Sequence, residues 1–169
     1  MPQPATALDP REFRNTLGQF CTGVVIATGC VDGRPAGFAA QSFTSVSLDP
    51  PRVALCPAKT STSWPQLRAS GSFCINILAA DQKPVCDVFA QSGIDKFAAL
   101  AWRPGVTGSP VLEGVLAYVD CDHEAVHDAG DHNVVLGRVR DVRILDTEGS
   151  PLLIFRGRYG HFQTLEAPR

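Results

Sequence analysis

Residues 121–137 read CDHEAVHDAGDHNVVLG, and two structures compete for them. As a helix, His123 to His127 would spell H-E-x-x-H, in which two histidines one turn apart hold zinc and the glutamate between them acts as general base. As a strand, the same histidines lie about 13 Å apart at roughly 3.3 Å per residue. Zinc needs its ligand nitrogens about 2.0–2.1 Å from one ion, so a strand removes the metal site. The flanks favour the strand. LAYVDCDHEAVH is rich in β-formers and passes through Asp128-Ala129-Gly130-Asp131 into HNVVLGRVRDVRIL, which is the pattern of a hairpin. The segment is predicted to bind no metal, with His123 and His127 facing solvent. His132 follows the turn, where strand geometry projects side chains toward a barrel mouth; on its own it reads as a turn or surface histidine.

Outward from this hairpin the chain alternates strands with short helices. LDPREFRNTLGQF predicts a first helix, with Asp9 as N-cap, Pro10 at the first position, Glu12 closing a capping box, and Phe13, Leu17 and Phe20 on one face. GVVIATGCVDGRPAGFAAQSF reads as two strands about the Asp32-Gly33 turn. SVSLDPPRVALCPA adds a strand starting after Pro51, which cannot donate to a ladder. A helix follows KTSTSWPQLRASG, with Ser63 placed to cap it and Gly71 to end it. Another is DQKPVCDVFAQSG, capped by Asp81 and ending near Gly93. SFCINIL between them is a buried strand, and the last third is strand-dominated. No internal repeat, linker or low-complexity segment interrupts the 169 residues, so a single domain is expected, with its core at about 10–162.

Composition narrows the partners. The chain is 44% hydrophobic and carries a net charge of −2, with 15 Lys and Arg among 17 Asp and Glu and no basic run. It therefore lacks the electrostatic footprint of a nucleic-acid binder or of a protein that sits on anionic membrane. No apolar run nears the roughly 20 residues that a bilayer requires, and the first residues lack a signal-peptide pattern, so a cytoplasmic location is expected. The six cysteines form no C-x-x-C pair and read mostly as small buried hydrophobes, Cys56 excepted because it abuts a polar segment.

That polar segment is GFAAQSFTSVSLDPPRVALCPAKTSTSWP. Its hydroxyls, loop N–H groups and Lys59 make a candidate anion site suited to phosphate, although the same residues could simply cap a helix and finish strands. Neither a G-x-x-x-x-G-K-[ST] loop nor a G-x-G-x-x-G fingerprint is present, so any nucleotide must bind to a β-barrel.

In order and spacing, SFTSVSLDPP, KTSTSWP, SGSFCINIL, FA followed by DKFA, GSPVLEG, AGDHNVVLGRV and FRGRY resemble the flavin reductase-like family, from about Phe13 to Tyr159. These are the small reductase components of two-component flavin-dependent monooxygenases. LGQFCTGV, FAAQSF and AVHDAGDH resemble in particular the reductase partner of a hydroxylase of phenolic steroid-ring catabolites. The resemblance implies a mainly β split barrel with a few helices that forms a homodimer and binds FMN or FAD between its subunits. NADH or NADPH would be the co-substrate, and a flavin-dependent monooxygenase would receive the reduced flavin. By the same resemblance Ala39, Ala40, Gln41 and Ser42 lie along the ring edge, and Ser45, Val46 and Ser47 approach its pyrimidine side. Ala58, Lys59, Thr60, Ser61 and Ser63 cradle the phosphate. Lys96, Phe97 and Tyr159 border the groove, and His132 stands beside the nicotinamide as the one catalytic candidate. Many members carry Thr where this chain has Ala39, so a backbone group is expected to replace a side-chain hydrogen bond there. The same barrel would also serve a non-catalytic flavin-storage protein or an oxidase of the pyridoxamine-phosphate type; the latter calls for further basic residues around a second phosphate.

Overall fold

The computed structural model describes residues 8–165. Helix α1 (Pro10–Leu17) leads into β1 (Thr22–Gly23), β2 (Val25–Val31), β3 (Arg34–Ala40), β4 (Thr44–Leu48) and β5 (Pro51–Leu55). Helix α2 (Trp64–Ala69), β6 (Ser72–Ile77), a 3-10 turn (Ala80–Gln82) and α3 (Lys83–Phe89) follow. The chain then forms β7 (Trp102–Pro104), β8 (Pro110–Leu112), β9 (Ala117–Ala129), β10 (His132–Ile144), β11 (Leu152–Phe155) and β12 (Arg158–His161).

Seven strands form one antiparallel sheet in the order β3-β2-β6-β9-β10-β5-β4. Its curvature follows from the core: Phe38 of β3 shares a buried cluster with Val53 and Leu55 of β5, although four strands separate them in the sheet. An open sheet cannot bring those positions together, so it curls into a barrel split between β3 and β4. Trp64 and Leu67 of α2 close one end of this core. A second cluster, with Ile26, Leu78, Phe89, Phe97 and Leu152, packs α3 and the small sheet β1-β11-β12 against the outside.

Local chemistry explains the turns. The β2–β3 hairpin turns at Asp32 (φ 50°) and Gly33 (φ 75°), the paired positive dihedrals that Asp-Gly favours. The long β9–β10 hairpin places residues 121–137 on strands, as the β-rich flanks require, with a register irregularity between Leu136 and Gly137. At that break a Cβ on Gly137 would run into the ring of Phe73.

Several expectations need correction. His123 does not face solvent: its ring is half-buried against Trp64 and Phe73, with centroids 5.8 and 5.0 Å away. Its Nε2 lies 2.9 Å from the Leu67 carbonyl oxygen. His127 is exposed, as expected. Asp9 caps α1 through Arg11 N–H at 2.8 Å, but Phe13, Leu17 and Phe20 stay exposed. At α2 the side-chain cap is Ser61, whose Oγ accepts from Trp64 N–H at 3.2 Å, rather than Ser63. Asp81 falls inside the 3-10 turn, so α3 begins two residues beyond it and ends at Phe89. Of the cysteines, Cys74, Cys86 and Cys121 are buried, Cys30 and Cys56 are partly so, and Cys21 is exposed.

Candidate functional site

The sheet register brings the site together. Leu55 pairs with Val135, and the pairing continues past the end of β5: Asn133 N–H donates to Pro57 O at 3.0 Å, and Ala58 bridges His132. The turn after β5 therefore lies against the start of β10. On its other side, Cys56 N–H donates to Ser42 Oγ at 2.9 Å, which ties the end of β3 to the end of β5 across the split. Gln41 is oriented by Thr22, whose Oγ1 donates to Gln41 Oε1 at 3.1 Å.

A groove of about 570 Å³ opens where these segments converge. Phe38 and the small side chains Ala39, Ala40 and Ala58 give it a low apolar wall, and Ser42, Thr60, Ser61, Thr62 and Ser63 supply hydroxyls. The end of α3 and the turn after it, from Phe89 to Ser92, form the facing side. His132 stands at the mouth with its side chain 44% exposed, Nδ1 2.8 Å from Asp131 Oδ1.

Lys96 sets the electrostatics. Its Nζ donates to Gly37 O at 3.0 Å, Phe89 O at 3.0 Å and Ser63 Oγ at 3.2 Å, which uses all three N–H groups. Among the described residues no carboxylate pairs with it, and burial lowers its pKa from 10.5. A half-buried ammonium held this way favours an anion nearby. The wall therefore suits a ligand with a flat ring and a phosphate.

Of the residues singled out in the sequence, Ala39 to Ser42, Ala58, Thr60, Ser61, Ser63, Lys96 and His132 surround this groove. Ser45, Val46 and Ser47 lie on β4 outside it. Lys59 points away to Asp128, with Nζ 2.5 Å from Oδ2. Phe97 is buried in the outer cluster. Tyr159 sits on β12 with its hydroxyl 3.5 Å from Cys86 Sγ, and this hydrogen bond, added to desolvation, pushes its pKa up to about 12. Thr62, one of the hydroxyls of the candidate anion segment, lies in the wall as well. Sequence reasoning missed Phe38, Pro57 and the Phe89–Ser92 wall, although the end of α3 was signalled by Gly93.

The fold and groove define a split barrel whose open seam carries a cavity lined by hydroxyls and small apolar side chains, of a kind that suits a phosphorylated, planar-ring ligand. The chain matches the flavin reductase like domain family over residues 17–163, and it belongs to that family. It is 52% identical over 155 residues, 92% of this chain and 79% of the relative, to the reductase subunit HsaB of a flavin-dependent monooxygenase from Rhodococcus jostii (strain RHA1). Among solved structures it resembles nitrilotriacetate monooxygenase component B from Mycobacterium thermoresistibile, at TM-score 0.90 and 47% identity, covering 96% of this chain and 92% of that one. It also resembles the NADH:FAD oxidoreductase SgcE6 of Streptomyces globisporus in complex with NAD and FAD fragments, at TM-score 0.87 and 31% identity, covering 96% and 100%.

Proposed function

We propose that this protein is an NAD(P)H-dependent flavin reductase that supplies reduced FMN or FAD to a partner flavin-dependent monooxygenase. The observation that carries this reading is the single groove in which hydroxyls, an unneutralised Lys96 and His132 meet around a low apolar wall. Thr60, Ser61, Thr62 and Ser63 would hold the flavin phosphate through hydroxyl and backbone N–H donors, with Lys96 contributing charge from behind. Ala39, Ala40 and Ala58 leave room for the ring, and Gln41 and Ser42 offer polar atoms along its edge. Bound flavin supplies the hydride acceptor and the nicotinamide the donor, so the protein's work is to stack and orient two rings and to exclude water. His132 would position the nicotinamide at the mouth; transfer of a hydride asks it for no proton.

A homodimer is part of the proposal. Phe13 and Leu17 on α1 and Phe20 just beyond it, with Leu48, Val142 and Ile144, expose large apolar side chains. Exposed apolar side chains of this size are the kind that a second copy covers. Among the described residues, no helix is long and apolar enough to cross a membrane.

Anaerobic addition of NADH to the flavin-loaded protein tests the activity. Loss of the oxidised-flavin absorbance supports a reductase; unchanged absorbance favours a storage role.

A further inference from the structure

The first residue of α2, Trp64, directly follows Ser63 of the groove wall, and Trp64 N–H donates to Ser61 Oγ at 3.2 Å. The hydroxyls from Thr60 to Ser63 therefore stand where the first turn of α2 puts them. That turn rests on His123. The buried Trp64 ring packs edge-on against the imidazole with centroids 5.8 Å apart, and one turn further on the Leu67 carbonyl oxygen lies 2.9 Å from Nε2. His123 N–H also donates to Gly71 O at 3.0 Å, so β9 holds the chain just past the helix as well.

Only a neutral ring fits this place. With Nε2 donating to Leu67, Nδ1 is the unprotonated nitrogen, and it is buried with no hydrogen-bond partner among the described residues. A proton added there meets no acceptor and no neutralising charge. Helix α2 brings Arg68, a second positive charge, while β6 brings Phe73 and β10 places Gly137 opposite. Along β9, Asp122 is engaged by Arg140 and Glu124 by Arg52, and burial keeps the Cys121 thiol protonated, with its pKa pushed up to about 12. An imidazolium is relieved by turning out to water, which gives up the contact with Leu67.

We infer that His123 is a positioning residue for the flavin phosphate: neutral, it holds the start of α2 against the groove, and protonated, it releases the helix and weakens flavin binding. This rests on reading the wall from Thr60 to Ser63 as the phosphate site. Desolvation lowers the His123 pKa from 6.5, so the helix is held above that value and let go as pH falls toward the folded pKa. The coupling is reciprocal. A flavin that needs the packed helix must in turn keep His123 neutral, so saturating FMN moves the titration midpoint of this histidine down. A phosphate dianion acting through space alone would move it up.

NMR titration of the His123 ring in the full chain, with and without saturating FMN, reads that sign directly. Fluorescence titration then gives Kd for FMN at about pH 5 and about pH 7.5 in the wild type and in His123→Leu and His123→Gln, neither of which titrates there. Protonation of the phosphate itself weakens FMN in all three proteins. The wild type should lose about threefold more affinity in acid than either variant. A midpoint that FMN leaves in place or raises overturns the coupling, whether or not the variants fold, and so do equal acid losses in all three proteins. In those cases FMN still binds at about pH 7.5 and the flavin site stands. A chain that binds no FMN even there overturns both readings.

Discussion

Lys59 Nζ stands 2.5 Å from Asp128 Oδ2, joining the turn after β5 to the tip of the β9–β10 hairpin. Lys59 N–H also donates to Asp131 O at 2.9 Å, so side chain and backbone pull the same way. The lysine expected on the flavin phosphate is engaged instead on the hairpin that carries His132. Lys59→Ala should therefore raise KM for NADH more than it raises Kd for FMN. Both changes should stay within about threefold, because solvent screens an ion pair this exposed. Steady-state kinetics beside a fluorescence titration of FMN separate the two parameters. A tenfold or greater loss of FMN affinity, with riboflavin unaffected, would return Lys59 to the phosphate.

His123 should make stability depend on pH. Desolvation by burial lowers its pKa from 6.5, outweighing the opposing effect of its hydrogen bond to Leu67, while the nearby Arg68 adds to the lowering. Its Nδ1 is buried with no hydrogen-bond partner, so a proton added there finds no acceptor. The folded state thus binds fewer protons than the unfolded chain once pH drops toward 6.5. The stability this group contributes is complete above that value and is lost as pH falls toward the folded pKa. Thermal denaturation should give a lower Tm at about pH 5.5 than at about pH 7.5, with a smaller difference in His123→Leu. Equal pH slopes in the two proteins would remove His123 from this role.

Features set by neighbours in sequence were the legible ones. Asp32-Gly33 announced its hairpin, and the run from Leu116 to His127 announced a strand because β-formers and a turn surround it. The features set by distant partners were not. His123 looked solvated because alternation along a strand was the only guide, yet α2, folded from residues 56 positions away, covers it. The irregularity beside Gly137 further upsets any count of faces along that hairpin. Lys59 had the right chemistry for phosphate, but Asp128, 69 residues on, claims it. Within KTSTS several hydroxyls compete for each role, and nothing in composition chooses Ser61 over Ser63 as the cap of α2. On α1 the apolar face could be read, but not what it meets.

The H-E-x-x-H spelling should remain without chemical consequence. His123 directs Nε2 at the Leu67 carbonyl inside the protein, whereas His127, on the same strand β9, is exposed. Bringing both onto one ion would break the α2 contact and distort a stretch of β9 that is held in register by β10. Elemental analysis of purified protein should find no stoichiometric zinc, and chelator should leave NADH oxidation unchanged. Zinc at one equivalent, with activity lost on its removal, is the contrary result.

His132 and His127 provide the sharpest test of the site, because they lie five residues apart on one hairpin and differ in what they face. His132 lines the mouth of the groove and is held by Asp131, while His127 faces away on exposed strand. If His132 positions the nicotinamide, His132→Ala should lower kcat/KM for NADH by about tenfold or more, since one positioning contact is worth roughly 1–3 kcal/mol of transition-state binding. Flavin affinity should change little, because the hydroxyls from Thr60 to Ser63 belong to a different segment of the wall. No new ionisation should appear in the pH profile of kcat, as the transferred group is a hydride. His127→Ala should be close to silent in every parameter. Should the two variants behave alike, or should His132→Ala strip the flavin, then His132 belongs to the flavin site or to the hairpin's structure and the nicotinamide assignment fails.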